Sequence, residues 1–199
     1  MLPPPKCPLF IVFEGIDGAG KTSIAKELAK SIHGLYIQSP PKPFDQIKQR
    51  VLENAVPIAR FLYFLSSNIQ LSELAKSALR KNHVVSDRYI WSTIAYHSAL
   101  ENISPNELKA IVMPFMKFLI MPDYVVFLTV KRKIQLQRLR NRVENGLQKR
   151  LLVSNDFQTR LKEAYRYSKE LFDVNWIEID TSYKSIHELV SIIRHTIKV

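Results

Sequence analysis

The chain has 199 residues, of which 46% are hydrophobic, enough for one domain with a sizeable core and too few for a second. The formal net charge of +11 favours polyanionic partners, but it attracts nucleic acid, acidic lipid and nucleotide phosphate alike. No apolar run approaches the roughly 20 residues of a spanning helix, and the proline-rich start does not resemble a signal sequence. One cysteine and scattered histidines exclude an internal disulfide and argue against a structural metal site. We therefore expect a cytoplasmic protein without a membrane partner.

The first half of the chain alternates strand and helix patterns. The apolar run Pro8–Phe13 predicts a buried strand, and a glycine loop and a helical pattern follow it. Leu35–Gln38 fits a second strand, which the stretch SPPKPF ends because proline cannot continue a strand. Helical periodicity then runs over Ile47–Leu52 and Pro57–Leu79, before a third short strand, Val84–Asp87.

The second half continues this alternation. A capping box that begins at Ser104 predicts a helix to about Leu119. Buried strands fit Tyr124–Val130 and Trp176–Ile179, and Ser185 caps a last helix. Strands that alternate with helices predict an α/β fold in which a parallel sheet carries helices on both faces.

A phosphate-binding loop follows the first predicted strand. Gly15, Gly20, Lys21 and Thr22 form the pattern G-x-x-x-x-G-K-[ST] between a predicted strand and a predicted helix. Glycines let backbone N–H groups turn toward phosphate, Lys21 reaches the β- and γ-phosphates, and Thr22 offers a hydroxyl to Mg²⁺. The pattern predicts that ATP or GTP binds, but ATPases, GTPases and kinases share it. The expected nucleotide-binding residues are Gly15, Asp17, Gly18, Ala19, Gly20, Lys21, Thr22 and Ser23.

Charged residues stand at two unusual places. Asp17 lies inside the loop, where a carboxylate repels phosphate unless it faces a metal ion or a sugar hydroxyl, so we expect it in an acceptor site. The alternative is a solvent-facing aspartate that favours the turn. Asp87 and Arg88 end the third strand, at the sheet edge where open α/β folds bind ligands.

Four segments together resemble the thymidylate kinase family: FEGIDGAGKT, a phenylalanine-containing helix, SDRYIWSTIAY and DFQTRLKEAY. The resemblance spans nearly the whole chain. It implies a single P-loop kinase domain over residues 1–199, with a three-layer sandwich around a five-stranded parallel sheet. It also implies a homodimer and a reaction in which Mg²⁺ and ATP are used to phosphorylate a nucleoside monophosphate.

The resemblance assigns roles by position. Arg88 would grip the acceptor phosphate, because a guanidinium fork suits two oxygens at once. Asp87 and Thr22 would lie beside the metal, and Asp17 beside the acceptor sugar or the metal shell. The loose transition state of phosphoryl transfer needs positioning and cations rather than an obvious general base, so Lys21 is expected to be catalytic together with Asp17 and Arg88.

The resemblance also outlines a base and sugar site. Phe64 would stack on a pyrimidine, although core packing is the alternative for an aromatic residue on a helix, and Tyr96 would pack against the deoxyribose. At Asn68 the family usually has an arginine that binds the thymine carbonyl, and an amide can either donate or accept there. The expected substrate-binding residues are Asp17, Phe64, Asn68, Arg88, Ser92 and Tyr96.

A basic segment follows the fourth predicted strand, where the family carries a mobile lid, here at about 131–155. Gly18 agrees with this, because family members that lack a basic residue there draw a catalytic arginine from the lid. Arg142 and Arg150 are the catalytic candidates, and Arg138 is expected to contact ATP. The alternative for each is a solvated basic helix face.

The sequence leaves several phosphoryl acceptors possible. The loop SPPKP replaces a loop that commonly carries arginine or glutamate, and Lys42 could substitute for it. The lid segment QKRLL also departs from the family. The leading function is dTMP kinase; the alternatives are a kinase of the same fold for dUMP, dCMP or another nucleoside monophosphate, then a deoxynucleoside kinase, then a nucleic-acid-binding ATPase. Nucleic acid is not an expected partner, because basic and aromatic residues do not interleave.

Overall fold

The computed structural model describes residues 7–140 and 154–199. Five parallel strands form one sheet in the order β2-β3-β1-β4-β5. The strands are β1 (Phe10–Gly15), β2 (Leu35–Gln38), β3 (Val84–Asp87), β4 (Tyr124–Thr129) and β5 (Asn175–Asp180). Because Phe13 pairs with both Asp87 and Val126, the carboxyl ends of β1, β3 and β4 meet at one edge of the sheet.

Helices cover both faces of the sheet and complete the three-layer sandwich. On one face, α1 packs against α8 and β3; on the other, α4 packs against α3, α5, α7 and β1. The helices are α1 (Lys21–Ser31), α2 (Lys48–Asn54), α3 (Pro57–Ala78), α4 (Ile90–Glu101), α5 (Pro105–Val112), α6 (Arg132–Arg140), α7 (Asn155–Lys169) and α8 (Ile186–Ile197), with 3-10 turns at Phe44–Ile47 and Met113–Phe118.

The predicted elements are all present. Most of their boundaries agree to within one or two residues, as for the first strand, which was predicted at Pro8–Phe13 and lies at Phe10–Gly15; one boundary is further in error. The helix expected to reach Leu119 ends at Val112 and continues as a 3-10 turn. Pro114 explains the change, because proline has no N–H for an α-helical hydrogen bond and its ring clashes with the preceding turn. Ser104 and Ser185 each form the predicted capping box with the glutamate three residues later.

The central strand determines where polar chemistry can occur. Phe10, Ile11, Val12 and Phe13 are fully buried between the helix layers, and Glu14 follows them with no exposed surface. A buried carboxylate needs hydrogen-bond donors, so its presence marks the edge of the core and the start of a polar site. In the described ranges, no helix is long and apolar enough to cross a membrane.

Candidate active site

The phosphate loop turns at the carboxyl end of β1. Gly15 has a φ of 131°, and a Cβ there would lie 2.3 Å from the carbonyl oxygen of Leu128, so only glycine fits. Gly20 is the N-cap residue of α1, and no side chain caps this helix. The first N–H groups of α1 are therefore available to an anion, as the loop pattern predicts.

Lys21 lies buried within its own loop. Its Nζ donates to the carbonyl oxygen of Ile16 at 2.9 Å and lies 3.9 Å from Asp17 Oδ1. Burial, and after it the positive charge of Arg88, lower the pKa of Lys21 to about 8, although Asp17 opposes both effects. A phosphate group beside Nζ would favour the charged ammonium, so Lys21 and a bound triphosphate would stabilise each other.

Thr22 and Asp87 bring two side-chain oxygens together at the start of α1. Thr22 Oγ1 donates to Asp87 Oδ2 at 2.5 Å. The other carboxylate oxygen of Asp87 is buried and has no hydrogen-bond partner among the described residues. Mg²⁺ binds proteins through one or two such oxygens and completes its shell with phosphates and water. These residues fit Mg²⁺, although the described residues include no group of three acidic, histidine or cysteine side chains for an all-protein site.

Arg88 gathers the polar residues of the opposite wall. Its φ of 76° is rare for a residue with a side chain, and such strain often marks functional positions. The guanidinium donates to Asp17, to Ser92 Oγ at 3.1 Å and to the Tyr96 hydroxyl at 3.2 Å. It also lies 4.8 Å from the centre of the Tyr96 ring. The structure thus brings together four residues of the predicted acceptor site.

Asp17 faces this cluster rather than solvent. Its Oδ2 accepts a hydrogen bond from the Tyr96 hydroxyl at 2.7 Å, and Oδ1 accepts from Arg88. Burial raises the pKa of the Asp17 carboxyl, but Arg88 and Lys21 lower it by more, so it stays below its ordinary value. Asp17 is therefore ionised at neutral pH and keeps the guanidinium in place.

Glu14 fixes the start of α4, on which most of this wall is built. Its Oε1 accepts from the backbone N–H groups of Tyr89 at 2.9 Å and Ser92 at 3.0 Å. Its Oε2 accepts from the Ser92 hydroxyl and from the Tyr165 hydroxyl. No side chain of α4 itself caps the helix, so a residue of β1 does so instead. Burial raises the pKa of the Glu14 carboxyl, although these hydrogen bonds and Arg88 oppose the shift.

A cavity of about 190 Å³ lies beside the Arg88 cluster. Asp17, Arg88, Lys48 and Arg60 supply its charged lining. Phe64 and His97 supply rings whose centres are 5.7 Å apart. Phe64 is thus part of the cavity wall and not only of the core. Burial and the nearby Arg88 lower the pKa of Lys48, which indicates that its ammonium lies among these charges.

Two residues from the sequence interpretation lie elsewhere. Asn68 has no exposed surface and does not line the cavity; Thr93 lies between them and accepts a hydrogen bond from Asn68 Nδ2 at 2.9 Å. This geometry therefore does not support direct contact between Asn68 and a base. Lys42 is exposed and outside the cavity lining, and Lys48 is the lysine that the cavity contains.

The base of the predicted lid packs on the phosphate loop. Arg138 of α6 donates to the carbonyl oxygen of Gly18 at 3.2 Å and to Thr181 Oγ1 at 3.0 Å. A Cβ on Gly18 would meet the Gln135 side chain at 3.0 Å, and Ala19 accepts from Thr181 at 2.8 Å. Ser23 is half-buried in the first turn of α1. Arg142 and Arg150 lie outside the described residues.

Comparison with known proteins decides the family. The family model described as thymidylate kinase matches residues 13–193. The chain belongs to the thymidylate kinase family. It is therefore a kinase, and its P-loop and three-layer sheet are those of thymidylate kinases.

Several thymidylate kinases resemble the chain over most of its length. The probable thymidylate kinase of Methanocaldococcus jannaschii is 32% identical over 185 residues, which cover 91% of each chain. The thymidylate kinase of Mycoplasma mobile is 33% identical over 177 residues, covering 79% of this chain and 81% of its own. The structure of Candida albicans thymidylate kinase matches with a TM-score of 0.74 at 21% identity, over 96% of this chain and 92% of that one, and so supports the fold.

Glu14 and Lys48 are among the residues of this thymidylate kinase site that sequence reasoning missed, as are the cavity-lining Arg60, Thr93 and His97. A signal for Glu14 was present, because a single carboxylate at the end of an apolar strand must find buried donors. Lys48 gave a weaker signal. It begins the helix after the SPPKPF loop, and only the packing of α2 beside the Arg88 cluster brings it into the cavity.

Proposed function

We propose that this kinase transfers the γ-phosphoryl group of ATP to dTMP and so produces dTDP. The observation that carries the proposal is the arrangement of Arg88, which Asp17, Ser92 and Tyr96 hold beside a cavity that adjoins the phosphate loop. The relatives named thymidylate kinase support dTMP as the acceptor. The acceptor phosphate and the ATP phosphates would then meet between Arg88 and Lys21.

The phosphate loop would bind the donor nucleotide. The uncapped N-terminus of α1 and the ammonium of Lys21 would neutralise the β- and γ-phosphates. Thr22 and Asp87 would hold Mg²⁺, whose charge helps to neutralise the transferred group. Arg138 donates to the loop carbonyl of Gly18, so it would lie beside the bound ATP.

The cavity would bind the acceptor. Arg88 and Lys48 would bind its phosphate, since both are cations that line the cavity. Tyr96 and Asp17 would contact the sugar, and Phe64 would stack on the base. Because the transition state is loose, these residues would accelerate the reaction by aligning the two phosphates and offsetting charge, without an obvious general base.

The proposal also covers the extent of the domain, its lid and its oligomeric state. We assign residues 1–199 to a single kinase domain whose lid, at about 131–155, closes over ATP and supplies cations from Arg142 and Arg150. A homodimer is also part of the proposal. Its support is an apolar stripe at the start of α3, where Ile58 and Leu62 are one helical turn apart and 50% and 43% exposed.

A coupled assay of ADP release tests this function. The enzyme is supplied with ATP, Mg²⁺ and one of dTMP, dUMP, dCMP, dGMP or dAMP, with thymidine and no-acceptor controls. We expect ADP release that requires dTMP. Equal release without any acceptor would identify an ATPase, and release with thymidine alone would identify a nucleoside kinase. Turnover with another monophosphate but not with dTMP would move the acceptor assignment to that nucleotide.

A further inference from the structure

A buried amide lies directly behind one wall of the acceptor cavity. Asn68 is on α3, one turn beyond Phe64, and Thr93 of α4 separates it from the cavity. Asn68 Nδ2 donates to Thr93 Oγ1 at 2.9 Å, so the hydroxyl hydrogen of Thr93 is directed elsewhere. Thr93 lines the cavity, so a base bound there would lie beside this residue.

Two orientations of the Asn68 amide can each make a hydrogen bond to Thr93. In the observed orientation Oδ1 is buried and has no hydrogen-bond partner among the described residues, so no donor there holds the oxygen in place. If the amide exchanged its oxygen and nitrogen, Oδ1 would accept a hydrogen bond from the Thr93 hydroxyl instead.

The orientation of the amide determines what Thr93 offers to a ligand. When Asn68 donates, the Thr93 hydroxyl can donate into the cavity; when Asn68 accepts, Thr93 Oγ1 can accept from the cavity. Uracil-type and cytosine-type rings differ at N3 and at the group on C4, and at each position one ring donates where the other accepts. The Asn68–Thr93 pair can therefore donate to, or accept from, either ring at N3 or at the group on C4.

His97 does not offer this choice. Its Nδ1 lies 2.7 Å from the carbonyl oxygen of Thr93, which can only accept, so Nδ1 carries the hydrogen and Nε2 is an acceptor. Burial lowers the pKa of His97 to about 4, so the ring stays neutral at physiological pH. The Asn68–Thr93 pair therefore differs from His97, because its donor and acceptor roles can exchange.

We propose that Asn68 is a positioning residue for base recognition, and that the Asn68–Thr93 pair lets the enzyme phosphorylate both uracil-type and cytosine-type deoxynucleoside monophosphates. This inference rests on the proposed function, because it requires a pyrimidine nucleotide in the cavity. It explains how an asparagine can stand where the family usually has arginine. An arginine can only donate, whereas the amide behind Thr93 can adapt to the ring that is present.

The matched acceptors dUMP and dCMP test the inference, because they differ only at N3 and C4. We expect kcat/KM values for the wild-type enzyme that agree to within about tenfold. A site with a fixed donor or acceptor rejects the wrong ring by far more, on the order of 10⁴-fold where a polar partner is left unpaired. Preference for dUMP over dCMP, or the reverse, above about a hundredfold would overturn the inference. Turnover of dTMP in the same assay separates this failure from a failure of the proposed function.

A double-mutant cycle tests the role of Asn68. Thr93→Val should raise KM for dUMP and dCMP by similar factors, about tenfold, with little change in kcat, because it removes a binding contact. Asn68→Leu should also raise KM, but it should add nothing in the Thr93→Val background, since Asn68 acts through Thr93. Additive effects, or a change in kcat alone, would show a merely structural role. If Asn68→Leu does not fold, the wild-type ratio of dUMP to dCMP still decides the inference.

Discussion

Lys21 is the residue on which phosphate binding depends most. Its Nζ is held by the carbonyl oxygen of Ile16 in a buried loop, next to the uncapped start of α1. We expect Lys21→Ala to reduce kcat for dTMP phosphorylation by about 10² to 10³-fold, the effect of removing one preorganised group that stabilises developing charge. Lys30→Ala, on the exposed last turn of the same helix, is the matched control and should keep its activity. Circular dichroism should show that both variants are folded, and near-normal turnover by Lys21→Ala would refute the loop assignment.

The ionisation of Lys21 should make ATP binding depend on pH. Its pKa is lowered to about 8 by burial, so the ammonium is mostly charged at pH 7 and mostly neutral at pH 9. As pH rises through this pKa, the cation that binds phosphate is lost, and ATP affinity should fall by about tenfold across that interval. Calorimetric titration would measure the change. Lys21→Ala should bind ATP more weakly, with a flatter pH profile; an equally steep profile in that variant would assign the titration to another group.

Site residues could be predicted from the sequence where their role depends on a short motif of neighbouring residues. The phosphate loop and the Asp87–Arg88 pair are short motifs at strand ends, and the structure places both at the same edge of the sheet. Asn68 could not be placed this way. Helical spacing puts it on the face of Phe64, but α4 crosses that face and Thr93 covers the amide. Only the packing of two helices decides which residue of α3 reaches the cavity.

At the scale of elements, Glu14 joins β1 to the start of α4. Four donors converge on its buried carboxylate, two of them backbone N–H groups of the first turn. Glu14→Ala leaves the two backbone N–H groups without this acceptor, so we expect the free energy of unfolding to fall by about 2–4 kcal/mol. Urea denaturation would measure it. Glu14→Gln should lose less, because its amide oxygen can still accept from the backbone pair.

A surface control completes that experiment. Glu163 is exposed on α7, and Glu163→Ala should change the free energy of unfolding by less than about 0.5 kcal/mol. If Glu14→Ala were as mild as this control, the cap on α4 would contribute little to the stability of the fold.

At the scale of the whole molecule, the exposed stripe of α3 supports a homodimer. Each chain has a mass of 23.1 kDa, so light scattering after size exclusion should give twice that mass. Leu62→Glu places a charge in the centre of the stripe and should shift the protein toward the monomer, because an unpaired charge in an apolar interface is costly. Ile192→Glu, an equally exposed substitution on α8 at the other face of the sheet, should leave the dimer intact. A wild-type monomer would contradict the assignment.

The arrangement of strands and helices could be predicted from the sequence, whereas the partners that bind the surface could not. Alternating strand and helix patterns determine a parallel sheet because each crossover must be right-handed and bury one helix face. The predicted end of a helix was wrong where a single residue interrupted the hydrophobic periodicity, as Pro114 does after α5. The net positive charge belongs to the whole molecule and does not by itself indicate which anionic partner binds.

The most direct measurement is the fate of the γ-phosphate of labelled ATP, with dTMP as the acceptor and Mg²⁺ present. The account predicts that the label appears in dTDP, in an amount that matches the ADP formed. Label released mainly as inorganic phosphate, at a rate that dTMP does not change, would contradict transfer to the nucleotide and would make this P-loop protein an ATPase instead.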